Sequence, residues 1–98
     1  MFIAYTINTM NDAYDTKKNQ ENILKHAVSF EDVALFEWDT AITTKDARKE
    51  YGESRFVSYG LIGERLHVLV WTRRDGTIRP ISFRKANKRE RRFYEQKI

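Results

Sequence analysis

The chain has no cysteine, a single proline and only four glycines in 98 residues. The first absence excludes disulfide staples, thiolate metal sites and cysteine nucleophiles. Scarce Gly and Pro, beside 41% hydrophobic and 33% charged residues, exclude a collagen-like rod, a linker array and a disordered tail. No apolar run approaches the roughly 20 residues that a membrane-spanning helix needs. The opening MFIAYTINTMND lacks the basic start and small-residue cleavage site of a secretory signal. A cytoplasmic protein without membrane contact is therefore expected. Missing too are GxxxxGKS and GxGxxG loops, so nucleotide cradling is unsupported. With two histidines far apart and no Cys, the donors of a conventional metal cluster are lacking, and no metal or other cofactor is expected. Ser54, Ser58 and Ser82 stand outside any nucleophile-elbow pattern.

Charge is plentiful and unevenly placed. Residues 1–72 carry eight Lys/Arg against eleven Asp/Glu, a balance of −3, while residues 73–98 carry ten against three, a balance of +7. The formal net charge of +4 thus conceals a strongly basic C-terminal quarter. Such a block is the electrostatic footprint of a polyanion, because each neutralised phosphate releases counterions. An acidic protein surface would account for it equally, and so would a solvated helix face.

Ninety-eight residues suit one domain with a single modest core, and no repeat or linker divides the chain. Phe2 to Ile7 reads as a strand, which makes residues 1–10 an extra edge strand or an extension. Asp15 reads as the N-cap of a helix whose thin apolar face is Ile23, Leu24 and Ala27. A second helix is expected from Ser29, with Asp32 as a near capping box and Phe30, Val33, Ala34, Phe36 and Trp38 on its apolar side. Thr40 to Thr43 suggests a short strand, followed by a charged loop from Lys45 to Glu50. Strands are expected at Arg55–Leu61, Arg65–Thr72 and Thr77–Arg84, joined at Gly63 and at Asp75-Gly76, the second a strong hairpin signal. Leu66, Val68 and Val70 fall on one face of the middle strand and His67, Leu69 and Trp71 on the other, so both faces should be covered. A last helix is expected from about Lys88, with Asn87 as N-cap, Glu90 at N3, and Phe93, Tyr94 and Ile98 docking on the sheet. The predicted fold is α+β: N-terminal helices, an antiparallel β-meander and a C-terminal helix.

Arginine is the chemistry that remains. Arg55, Arg65, Arg79 and Arg84 stand at or near strand ends, and Arg73-Arg74 lie in a hairpin. A phosphodiester passing through a dianionic, five-coordinate state needs fixed positive charge, which guanidinium supplies in planar, always-charged form. Surface ion pairing is the alternative for each of them. His26, after Lys25 at a helix end, is either a dipole-stabilised terminal residue with a raised pKa or a general acid or base. Glu53 is either a general base or a partner of Arg55. Tyr94 either anchors the last helix or donates a proton. His67 reads as a packed, hydrogen-bonded residue, and Trp38 and Trp71 as core. Lys88, Arg89, Arg91 and Arg92 crowd the first turns of the last helix, where cations oppose the macrodipole unless an anion binds there.

In order along the chain, the pieces resemble a known family. The run Asp15-x-x-Lys18-x-x-x-Asn22-x-x-Lys25-His26-x-Val28-Ser29-Phe30-Glu31-Asp32 is similar to the opening of the BrnT toxins of type II toxin–antitoxin systems. Gly52-Glu53-x-Arg55-Phe56, Gly60, Arg65-Leu66-x-Val68 and Thr72 resemble that family's strands. Ile78-Arg79-x-Ile81-Ser82-x-Arg84-Lys85-Ala86 and Glu90-Arg91-Arg92-x-Tyr94 resemble its closing signature. The resemblance covers about residues 14–95. It implies a metal-independent endoribonuclease with a RelE/ParE-like fold, and an antitoxin partner with a ribbon-helix-helix DNA-binding domain. The basic set it implies is Lys25, Arg55, Arg79 and Arg84, with His26, Glu53 and Tyr94 as proton-transfer candidates. Departures from the pattern are Thr16 in place of Pro, Ala27 in place of Gly, Phe83 in place of a small residue, Pro80 within a strand, and the longer start.

The expected function is thus a toxin that cleaves RNA and slows translation, with or without a ribosome as platform. The ribose 2′-OH would attack the adjacent phosphate, with His26 or Glu53 taking the proton. Arg79 and Arg84 would stabilise the transition state, and Lys88, Arg89 and Arg92 would position the backbone. Two rival readings stand beside it: a non-catalytic basic nucleic-acid-binding module, and an antitoxin-binding protein whose catalysis has decayed.

Overall fold

Asp15 opens the first helix as expected: its Oδ1 accepts from the Lys17 and Lys18 amides at 2.8 and 3.2 Å. The computed structural model describes residues 15–46 and 52–98, so the expected strand at 2–7 and most of the charged loop after Lys45 lie outside it. Helix α1 spans Thr16–His26. It docks through a face the sequence did not suggest. Its buried residues are Asn19 and Asn22, whereas Leu24 is 88% exposed and Ile23 is 41% exposed. The Asn22 amide donates to the carbonyls of Val28 and Phe83, both at 2.8 Å, and its Oδ1 accepts from the Phe83 N–H at 3.1 Å. Asn19, one turn earlier, accepts from the Phe30 N–H at 2.7 Å and donates to Ser29 Oγ at 3.3 Å. These bonds replace the apolar seam expected at Ile23 and Leu24. Ala27 closes the helix at φ 60°, its N–H reaching Ile23 O at 2.7 Å, in the left-handed region where glycine is the usual occupant.

The second expected helix is a 3-10 turn, Phe30–Leu35, capped by Ser29 Oγ, followed by a shorter 3-10 turn at Trp38–Thr40. The reason lies in the spacing. Phe30, Val33 and Phe36 recur every three residues, which matches three residues per turn and brings all three into the core.

Among the described residues the sheet has four antiparallel strands in chain order: β1 Ile42–Lys45, β2 Arg55–Ile62, β3 Arg65–Arg74 and β4 Thr77–Lys85. Asp75 and Gly76 turn the β3–β4 hairpin at φ 54° and 77°, the pair of positive φ values that the Asp-Gly signal predicts. Both faces of β3 are covered. On one, Leu69 and Trp71, with Phe83 of β4, meet Val28, Phe30, Val33 and Phe36. The Trp71 indole donates to the fully buried Ser58 Oγ at 2.8 Å, and at Gly60 an added Cβ would lie 2.5 Å from the Phe36 ring. On the other, Leu66 and Val68 meet Ala86 and Tyr94. Helix α2, Lys88–Lys97, starts with a full capping box between Asn87 and Glu90. Tyr94 donates to Thr40 O at 3.0 Å, and Phe93 packs on Tyr59 with ring centroids 4.9 Å apart. The docking expected of Ile98 is not made: it is 75% exposed. The α+β meander with flanking helices is otherwise as predicted. Among the described residues, no helix is long and apolar enough to cross a membrane.

Candidate functional site

Pro80 shapes the site. It cannot donate to a ladder, and it sits on β4, which among the described residues is the outer strand of the sheet next to β3. Val70 pairs with Ser82 but Trp71 pairs with Pro80, so Ile81 is the extra residue of a bulge. Alongside, Asn22 bonds both backbone groups of Phe83 and lays α1 along this edge. The Phe83 ring itself is fully buried on the core side, near Phe36 and His67, so the bulky residue at this position takes no room from the seam.

Two adjoining grooves follow the seam and share Lys18 and Ile81. One, about 190 Å³, gathers Lys18, Glu53, Arg55, Arg74 and Arg79 from α1 and the sheet. The other, about 290 Å³, gathers Lys18, Glu21, Lys25, His26 and Ser82. Lys18, Glu21 and Lys25 are spaced i, i+3, i+7, one stripe of a helix. Of the residues singled out in the sequence, the structure brings Lys25 and His26 into one groove, and Glu53, Arg55 and Arg79 into the next. Arg84 is forked onto Glu90, with Nη1–Oε1 at 2.8 Å and Nη2–Oε2 at 2.7 Å. Tyr94 is buried and bonded to Thr40, the anchor of its two readings. Lys88, Arg89 and Arg92 are exposed on α2 and line neither groove. Lys18 is a groove residue that the sequence reading gave no role, and Arg74 was named there only as one of the hairpin arginines. The helical stripe would have indicated the first, while the second depends on a contact across strands. His67 is buried as expected. Its Nδ1 lies 3.0 Å from Arg65 O, and since a carbonyl can only accept, Nδ1 carries the proton.

The electrostatics correct one expectation. A helix C-terminus should raise the pKa of His26, yet it lies below the ordinary histidine value, through partial desolvation first and then the nearby charges of Lys25 and Arg84. The shift favours the neutral imidazole, the form that can act as a base. Glu53 is engaged with cations: Oε1 lies 3.0 Å from Arg74 Nη2, and Oε2 lies 4.0 Å from Arg55 Nε. Glu90 is held below the usual carboxylate range, chiefly by its hydrogen bonds from Arg84.

A family model described as a ribonuclease toxin, BrnT, of type II toxin–antitoxin systems matches residues 14–90. No curated protein and no solved structure matches the chain.

Proposed function

Because the chain belongs to the BrnT ribonuclease toxins of type II toxin–antitoxin systems, with RNA as substrate and an antitoxin as partner, we propose that it is a metal-independent endoribonuclease acting in the seam between α1 and β4. One observation carries this reading. A histidine biased toward its neutral form lies in a groove beside Lys18 and Lys25, and Arg79 stands in the adjoining one. His26 takes the proton of a ribose 2′-OH. The 2′ oxygen bonds to the neighbouring phosphorus, the P–O5′ bond breaks, and the 5′ oxygen takes up a proton in the open groove. The products are a 2′,3′-cyclic phosphate and a 5′-hydroxyl end. Charge developing on the phosphoryl oxygens meets Lys25, Lys18 and Arg79. In this reading these cations perform the charge-stabilising task that a metal fills in metal-dependent nucleases.

The remaining residues receive other roles in this proposal. Arg84, neutralised by Glu90, positions the α2 corner and biases His26 electrostatically. Glu53 braces arginines, and Tyr94 anchors α2. Lys88, Arg89 and Arg92 extend the positive field that draws in a polyanion. On the strength of the motif resemblance we also assign the antitoxin to the ribbon-helix-helix type, the place of action to the cytoplasm, and the outcome to slowed translation.

The test is incubation of purified protein with a defined single-stranded RNA in EDTA. Cleavage leaving 2′,3′-cyclic ends is expected, and His26→Ala should slow it by about 100- to 10,000-fold with an unchanged circular dichroism spectrum. Wild-type rates in folded His26→Ala would overturn the assignment. RNA bound but left intact by the wild type would favour the non-catalytic module instead.

A further inference from the structure

The groove of Arg55, Arg74 and Glu53 lies beside the His26 groove but shares only Lys18 and Ile81 with it. Its charged lining is Lys18, Arg55, Arg74 and Arg79 against Asp15 and Glu53, a balance of +2. Asp15 is committed to capping α1. Glu53 reaches toward Arg55 and pairs with Arg74, joining the start of β2 to the end of β3 across the sheet. The carboxylate thus keeps the two guanidiniums near one another on the same groove wall. A guanidinium carries five N–H donors, so Arg74, which bonds Glu53 through Nη2, keeps donors for a second oxyanion. The Thr72 hydroxyl donates to Ser54 O at 2.6 Å and fixes the backbone leading into Arg55.

We infer that Arg55 and Arg74, braced by Glu53, form a second phosphate-binding subsite, which receives a phosphodiester flanking the scissile one. The substrate is then an extended single strand that occupies both grooves in turn, rather than any short ribonucleotide with one 2′-OH. This rests on the nuclease site proposed at His26, and it adds a length requirement that the His26 site alone does not impose. The residues assigned to the reaction, Arg79 among them, act on one phosphate; Arg55 and Arg74 act only when the strand continues past it.

The experiment uses full-length protein and fluorescent 2′-O-methyl oligonucleotides, which lack the attacking hydroxyl and so report binding alone. A tetranucleotide with three phosphodiesters is compared with a dinucleotide carrying one, across a salt titration. The tetranucleotide should bind at least tenfold tighter. Arg74→Gln and Arg55→Gln should each remove most of that advantage, and each should flatten the slope of log affinity against log salt by about 0.7, the value for one lost single-strand phosphate contact. Equal binding of the two lengths, or an advantage that survives both substitutions, would overturn the subsite. So would a tetraglutamate peptide binding as tightly as the tetranucleotide, which would assign the groove to an acidic protein segment. Cleavage of the all-ribose strand is followed separately. Uncleaved RNA with the length effect intact would defeat the His26 reading and leave this subsite standing.

Discussion

Arg84 joins two parts of the protein through one guanidinium. Its fork onto Glu90 ties the end of β4 to the capping box of α2, and its charge also acts on His26. Arg84→Ala should therefore have two separable effects. Loss of two charge-assisted hydrogen bonds should lower stability by about 1–3 kcal/mol, read from urea unfolding. The pKa of His26, followed by imidazole NMR, should rise toward about 6.5, since one of the two nearby cations is gone. A variant of unchanged stability with an unmoved His26 would contradict both. The pH dependence of folding has a definite sign. The carboxyl of Glu90 is depressed in the folded state, so its contribution is present above the unfolded value, about 4.3, and is lost as pH falls through the folded one. His26 and His67 are also depressed, both chiefly by desolvation. The unfolded chain protonates them first, so stability should decline as pH drops below about 6.5 toward their folded values.

At the scale of elements, the legible parts of the fold were those with a periodic or turn-forming signature. Asp75-Gly76 located one hairpin, the alternation in β3 foretold its two covered faces, and Asn87 with Glu90 marked the start of α2. What escaped were polar contacts with partners far along the chain. The burial of Asn19 and Asn22 was not foreseen, because an amide reveals its burial only through the backbone it meets, and Phe83 lies 61 residues beyond Asn22. The Glu53–Arg74 pair was hidden for the same reason, and the Arg84–Glu90 fork, though only six residues apart, because it bridges a strand and a helix whose relative placement no local pattern gives. The candidate site was thus legible as a set of residue types, and the division of that set between groove and scaffold was not. Asn22 gives the sharpest check. Asn22→Ala should cost about 2–4 kcal/mol, because the N–H and C=O of Phe83 and the Val28 carbonyl all lose their partner in a buried seam. Urea midpoints read this directly, and a loss under 1 kcal/mol would mean that water replaces the amide.

The described residues form one sheet with a core on each face, and the strands that serve one face serve the other. We propose on this ground that the chain unfolds as a single domain. The indole fluorescence of Trp71 reports one face, and the 19F signal of fluorotyrosine at Tyr94 reports the other. Their urea transitions should coincide in midpoint and slope, whereas separated midpoints would divide the chain into independent units. The seam that carries the proposed site is built differently from these cores. A helix seated on an apolar stripe can slide or roll at little cost, but an amide that grips one residue on both its N–H and its C=O tolerates only tenths of an ångström before those bonds weaken. The distance between α1 and β4 is therefore a gauge set by a single side chain. Such a groove favours strands whose backbone already fits the spacing that Asn22 holds.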